Sequence, residues 1–243
     1  MIEMIHVSKA YDVSPQALFD ITLKVEKGKF VYLTGSSGAG KTTLLKLLYA
    51  AERPTEGEIR VNRFDVGRLK RREIPYLRRS LGVVSQGFRL LSHRTAFENV
   101  AFALEVLGAR GREVLKKTTQ ALHWVGLERR GSCFPSQLSA GEQQKVAIAR
   151  AIVNEPLLIL ADEPTGNIDP EATEEIMNLF DEINFRGATV VLATHNNGLS
   201  LMLPKERIVL ERGRIVERFT AEGAETAEIR QDPMGARSLR APR

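Results

Sequence analysis

Gly35-Ser36-Ser37-Gly38-Ala39-Gly40-Lys41-Thr42 fits the pattern G-x-x-x-x-G-K-[ST], and it lies between an apolar strand pattern over 29–34 and a helical pattern over 40–51. A strand that ends on a glycine and turns straight into a helix is the setting in which such a loop works. Its glycines allow a tight turn whose backbone N–H groups converge, and the helix N-terminus adds the positive end of its dipole, so the loop is a receptacle for phosphate groups. Lys41 brings a positive charge to the β and γ phosphates. Thr42 brings a hydroxyl to Mg²⁺, a hard cation that takes oxygen ligands, and Thr43 is counted with the loop as a nucleotide contact. A glycine-rich turn alone could be structural; eight matched positions between a strand and a helix point to nucleotide binding.

Downstream, the continuous apolar run 157–161 reads as a parallel strand covered on both faces, and it ends in Asp162 and Glu163. A strand of an open α/β sheet delivers such residues to the edge where ligands bind. Asp162 suits the water shell of a metal ion. Glu163 is the candidate base that orients and polarises an attacking water, since phosphoryl transfer mainly needs positioning and charge stabilisation. A strand at 188–193, with a helix at 171–184 before it, repeats the order, so the sheet is expected to be mostly parallel. Patterns over 96–107 and 112–125 read as helices of an all-helical insert, with Gly108 and Gly126 as stops. The start of the chain alternates as strands over 4–7 and 17–25, residues 58–62 and 81–85 read as short strands, and 207–216 folds back around Arg212 and Gly213 as a hairpin. From residue 219 the periodicity is lost, and 219–243 is expected to be a disordered tail.

The chain has 243 residues, 43% hydrophobic and 27% charged, enough for one large α/β domain with a sizeable core. No uninterrupted apolar run exceeds five residues, against the roughly 20 that a membrane-spanning helix needs, and residues 1–11 carry no signal-peptide core. The cytoplasm is the expected compartment. A single cysteine, Cys133, excludes an internal disulfide framework. The net charge of +5 sits wholly in 68–79, where Arg68, Lys70, Arg71, Arg72, Arg78 and Arg79 face Glu73 alone. That patch suits RNA, anionic lipid or an acidic surface, or is simply a solvated face.

Ser139 and Glu142 form an S-x-x-E capping box at the start of a helix over 139–154, which presents a fixed, electropositive N-terminus. The segment that holds them, Leu138-Ser139-Ala140-Gly141-Glu142-Gln143, lies 23 residues before Asp162 and resembles the signature motif of ABC-type ATPases. That resemblance implies an ABC ATPase fold of the P-loop class: a mostly parallel core sheet, an N-terminal antiparallel β part and a helical part at about 87–155, together spanning 1–218. It makes Gln86 a contact of nucleotide and metal, Asp169 in Gly166-Asn167-Ile168-Asp169 a cofactor contact, His195 the switch histidine and Tyr11 the aromatic that stacks on adenine. It also implies that Ser139, Ala140, Gly141 and Glu142 hold the γ-phosphate bound to a second copy, giving an ATP-dependent homodimer. Ala140 stands where a glycine is usual, which puts a positive φ and the room for the phosphate in question.

Within the family the resemblance is closest to the bacterial cell-division ATPases, carried by Val7-Ser8-Lys9-Ala10-Tyr11, the basic segment 68–79 and Phe88-Arg89-Leu90-Leu91. Lipoprotein-releasing and macrolide-export ATPases are the alternative. The resemblance implies a peripheral protein on the inner face of the cell membrane, held by an integral membrane partner that docks at 86–95, with no nucleic acid as ligand. Phe88, Leu90 and Leu91 are the expected apolar contacts of that partner, unless they serve the insert's own core.

Overall fold

The computed structural model describes residues 1–11 and 14–220, without the side chains of 14–16. Of the expected tail, 219–243, Phe219 instead ends the last strand, and residues 221–243 lie outside the described residues. The chain opens with β1 (Ile2–Tyr11) and β2 (Ser14–Val25), an antiparallel pair, followed by β3 (Phe30–Thr34) and α1 (Lys41–Leu48). Next come β4 (Glu56–Val61) and β5 (Phe64–Asp65), then α2 (Ile74–Arg79) and β6 (Leu81–Val84). The helical part holds α3 (Ala96–Val106), α4 (Arg112–Trp124) and α5 (Ala140–Ile152). The chain then returns to the sheet with β7 (Leu158–Asp162), α6 (Pro170–Phe185), β8 (Thr189–Thr194), α7 (Gly198–Met202), β9 (Glu206–Glu211) and β10 (Arg214–Phe219).

These strands form two sheets, an antiparallel one in the order β2-β1-β4-β5 and a second in the order β10-β9-β3-β8-β7-β6. The second is parallel except for its terminal hairpin. Side chains alternate across its central strands. Val31, Leu33, Leu158 and Leu160 face a core shared with α1 and the antiparallel sheet, whereas Tyr32, Ile159, Val190 and Leu192 face one built from α3 to α6. Burial on both faces is why these strands read as unbroken apolar runs. The expected parallel sheet, N-terminal antiparallel part and helical part are all present.

Differences are local. The strands at 4–7 and 58–62 are Ile2–Tyr11 and Glu56–Val61, and the basic helix covers only Ile74–Arg79, with Lys70, Arg71 and Arg72 in the turn before it. Two short elements, β5 and α7, have too few residues to show a period.

Register fixes the site. Thr34 pairs with Thr194 and Asp162 with Ala193, so β3, β7 and β8 end together and release their following residues at one edge of the sheet.

Candidate active site

The loop between β3 and α1 is held from both sides by backbone. Gly35 has φ +147°, and a Cβ there would come within 2.1 Å of the Leu210 carbonyl oxygen on β9. Gly40, at φ +106°, would bring a Cβ within 2.7 Å of the Ala17 carbonyl oxygen on β2. Only glycine fits these two close approaches. The turn between β9 and β10 completes the clamp: Gly213 N–H donates to the Ala39 carbonyl at 3.0 Å. Lys41 is buried, and its Nζ donates to the carbonyls of Gly35 at 2.7 Å and Ser36 at 3.1 Å. The ammonium thus braces the loop and lies 3.7 Å from Glu163 Oε1.

Two carboxylates leave the end of β7. The Thr42 hydroxyl donates to Asp162 Oδ1 at 3.2 Å, which joins the first turn of α1 to the strand. Burial pushes the Asp162 carboxyl above its ordinary pKa, against the pull of the Thr42 bond and Lys41. Glu163 sits in the left-handed region at φ +47°, with its N–H bonded to the Ala193 carbonyl at 2.8 Å. A non-glycine residue held there costs about 1–3 kcal/mol, and here it turns the carboxylate into the cleft. The Glu163 side chain is 13% exposed, and three groups surround it. His195 Nδ1 lies 3.0 Å from Oε1, the Thr194 hydroxyl donates to Oε2 at 3.2 Å, and Lys41 stands opposite. The Thr194 oxygen also accepts the Asn196 N–H at 3.0 Å. Thr194 was not singled out from sequence, although its place before His195 at a strand end was the available signal.

A cleft of about 420 Å³ opens over these groups, lined by loop residues 37–43, Ala17, Gln86, Glu163 and His195. Gly35 and Ser36 turn inward as acceptors for Lys41, and Asp162 stands behind Thr42. Tyr11 is not among the lining residues; it closes β1 beside Lys9, whose Nζ lies 4.8 Å from the ring centre. A wider groove of about 600 Å³, bordered by Trp124, Glu182 and Arg186, lies away from this chemistry.

Ser139, Ala140, Gly141, Glu142 and Asp169 lie outside the cleft, on the N-termini of two adjacent helices. The capping box of α5 is complete: Glu142 N–H donates to Ser139 Oγ at 3.2 Å, and Ser139 N–H to Glu142 Oε2 at 2.8 Å. Arg130, unremarked in the sequence, grips the same carboxylate at 2.9 and 3.3 Å. Its hydrogen bond, joined by the Ser139 N–H, holds the Glu142 carboxyl below the ordinary range. Asp169 caps α6 by accepting the Ala172 N–H at 2.9 Å. At Gly141 a Cβ would meet the Ala172 Cβ at 2.8 Å, so this glycine lets α5 and α6 touch. The expectation about Ala140 is corrected in one respect. Ala140 is the first residue of α5 and has no positive φ, so its backbone needs no glycine.

Beyond β6, Gln86 is exposed, and Phe88 and Arg89 both have positive φ, +58° and +49°. Their carbonyls accept from the largely buried Arg150 guanidinium on α5, at 2.9 and 2.8 Å. Asn99, fully buried on α3, holds 91–95 through four hydrogen bonds. Phe88, Leu90 and Leu91 are half-buried, and Leu90 packs against the helical core.

Known proteins resemble this chain in sequence and in fold. A profile described as ABC transporter matches residues 18–166. The cell division ATP-binding protein FtsE of Bacillus subtilis is 49% identical over 89% of this chain and 95% of its own length. FtsE of Mycobacterium tuberculosis is 48% identical over 89% of this chain and 94% of its own. Among solved structures, the ATP-binding cassette MJ0796, in a dimeric post-hydrolysis state bound to ADP and Pi, superposes with a TM-score of 0.84 at 35% identity. That match covers 92% of this chain and 100% of MJ0796.

Proposed function

The chain belongs to the ABC transporter family of ATPases, and from that premise we propose that it is the ATP-hydrolysing subunit of a bacterial cell-division complex of the FtsEX type. The similarity to FtsE spans 215 to 217 residues at 44–49% identity in several bacteria and supports this over a lipoprotein-releasing or macrolide-export role. In this reading residues 1–218 are the ATPase domain. ATP enters the cleft with its phosphates against the N–H groups of 37–42, and Lys41 exchanges its loop carbonyls for the β and γ phosphates.

Glu163 is the observation that carries the catalytic assignment: one carboxylate braced by Lys41, Thr194 and His195 at the mouth of the phosphate loop. It orients a water whose oxygen bonds the γ-phosphorus as the bond to the bridging oxygen of ADP breaks. Glu163 takes up the water's proton, and His195 steadies the γ-phosphate oxygens. The Thr42 hydroxyl and the Asp162 carboxylate, 3.2 Å apart, are a hard-oxygen pair that fits Mg²⁺, with Gln86 at the cleft edge as a further oxygen donor. An ion held by that pair would neutralise charge on the β and γ phosphate oxygens.

The groups at Ser139–Glu142 and Asp169 complete the site in trans: the capped end of α5 meets the γ-phosphate held by a second copy, so two copies enclose two ATP molecules. Tyr11 stacks on adenine at the outer end of β1. Among the described residues no helix is long and apolar enough to cross a membrane. Membrane attachment, at the inner face, runs through an FtsX-like partner docked on 86–95, with Phe88 and Leu91 as its apolar contacts, and the ATP cycle is transmitted through that partner to cell-wall hydrolysis. No nucleic acid is needed.

The test is Glu163→Gln. Turnover should fall by about 10²-fold or more while Mg-ATP still converts monomers to dimers in light scattering. A variant that stays monomeric at saturating Mg-ATP overturns the shared site.

A further inference from the structure

The segment before β6 has no part in the site above, yet it holds the protein's whole net charge. Of its six cations, Arg68 is neutralised by Asp65 at 3.4 Å and lies 3.9 Å from Glu58. Lys70, Arg71, Arg72, Arg78 and Arg79 are all exposed, and among the described residues none has a carboxylate oxygen within 4.0 Å. The one nearby acid, Glu73, spends an oxygen on the backbone N–H of Lys70 at 2.7 Å. Arg78 is fixed in place by the carbonyls of Tyr49 and Ala50, both at 3.1 Å, which orient it without cancelling its charge. Amid these cations Tyr76 is 59% exposed, with the Arg79 guanidinium 5.3 Å from its ring centre. Five cations facing a single acid within ten residues, none of them in an ion pair among the described residues, repel one another, a cost that an external anionic surface would relieve.

We propose that residues 70–79 are a docking surface for anionic phospholipid headgroups, so that the protein meets the membrane directly as well as through its integral partner. Fixed guanidinium groups suit headgroup phosphates, which they bind in a planar, forked geometry. An exposed tyrosine is apolar in body and polar at its tip, the character that settles at a lipid–water boundary. Clusters of four to eight basic residues next to a membrane site behave in this way. Position agrees: Asn154, just past the end of α5, donates to the Arg79 carbonyl at 3.1 Å, four residues from the Arg150 that holds Phe88 and Arg89 in the segment assigned to the membrane partner, a point that rests on the function proposed above. Nucleic acid would offer the same phosphates, but α2 has six residues and only one exposed aromatic, too little for a base-stacking platform.

The test uses the full chain without any partner. Co-flotation is measured with vesicles of phosphatidylglycerol and phosphatidylcholine in about equal amounts, and with phosphatidylcholine alone. Binding should require phosphatidylglycerol and fade above about 0.15 M salt, where charges more than about 8 Å apart are screened. The variant Lys70→Gln/Arg71→Gln/Arg72→Gln/Arg79→Gln leaves Arg78 to its structural bonds. It should bind at least tenfold more weakly while its ATP turnover in solution stays within twofold of the parent. Vesicle binding that is absent, insensitive to lipid charge or unchanged in the variant overturns the proposal, and so does a patch-dependent preference for single-stranded RNA over vesicles. Failure of the division role would leave this result intact, because neither measurement involves the partner.

Discussion

Thr194 shows how much one hydroxyl can decide. It donates to Glu163 and accepts from the backbone of Asn196, so it ties the proposed base to the segment that carries His195. Replacing it with valine keeps the shape and leaves one lobe of the carboxylate without this partner, free to rotate. Thr194→Val should lower kcat about tenfold with little change in the KM for ATP, and Thr194→Ser should restore most of it. A steady-state comparison of the three proteins decides, and loss confined to KM would show that Thr194 serves binding instead. At the same scale the glycines at 35 and 40 could be foreseen in kind, but not in cause. The motif demands them for phosphate approach, and the structure adds two carbonyls from β2 and β9 that leave no room for a methyl group.

Among the elements, α5 links the most parts. Its N-terminus carries the capping box braced by Arg130, and about three turns later Arg150 holds the carbonyls of Phe88 and Arg89, both at positive φ. One helix therefore joins the segment 138–143 to the segment 86–95. The Glu142 carboxyl is held below its ordinary pKa, first by the Arg130 hydrogen bond, so its contribution to stability has a definite sign. The stabilisation is complete above the unfolded value of about 4.3 and is lost as pH falls through the lower folded value. Arg130→Met should thus melt lower than the parent near neutral pH and lose less on acidification from about pH 5 to about pH 3. Calorimetry at a series of pH values measures this, and parallel curves would show that the pair contributes nothing. Capping by Ser139 and Glu142 was legible because it is a local rule with a fixed spacing of three residues. Arg130 was not, because it approaches from a separate turn.

For the whole molecule, the proposed chemistry is divided between a phosphate cleft on one surface and two helix N-termini elsewhere on the same chain. In that assembly a single copy holds nucleotide by the loop side alone, and binding stabilises the fold by mass action, about 2.7 kcal/mol at a ligand concentration 100 times Kd. Because the proposed cation arrives with the nucleotide phosphates, a chelator should leave the melting temperature of the nucleotide-free protein unchanged. It should remove most of the upward shift that ATP produces with Mg²⁺, because the Thr42–Asp162 pair, the proposed Mg²⁺ site, then lacks its cation. Differential scanning fluorimetry with ATP, Mg²⁺ and EDTA in turn checks this, and an EDTA-sensitive melting temperature without nucleotide would point to a structural metal.

What the sequence by itself determined was whatever is local and repeated: the phosphate loop between strand and helix, the buried strand bearing Asp162 and Glu163, and the order of strands and helices that makes a parallel sheet. Such features depend on neighbours a few residues apart, and composition and spacing record them. Tertiary structure alone decided which distant groups meet, because contact depends on sheet order and register, which are global. Strands β7 and β8 lie side by side and end in register, so Thr194 and His195 reach Glu163. The same packing left Ser139–Glu142 outside the cleft and five cations before β6 without a carboxylate partner among the described residues.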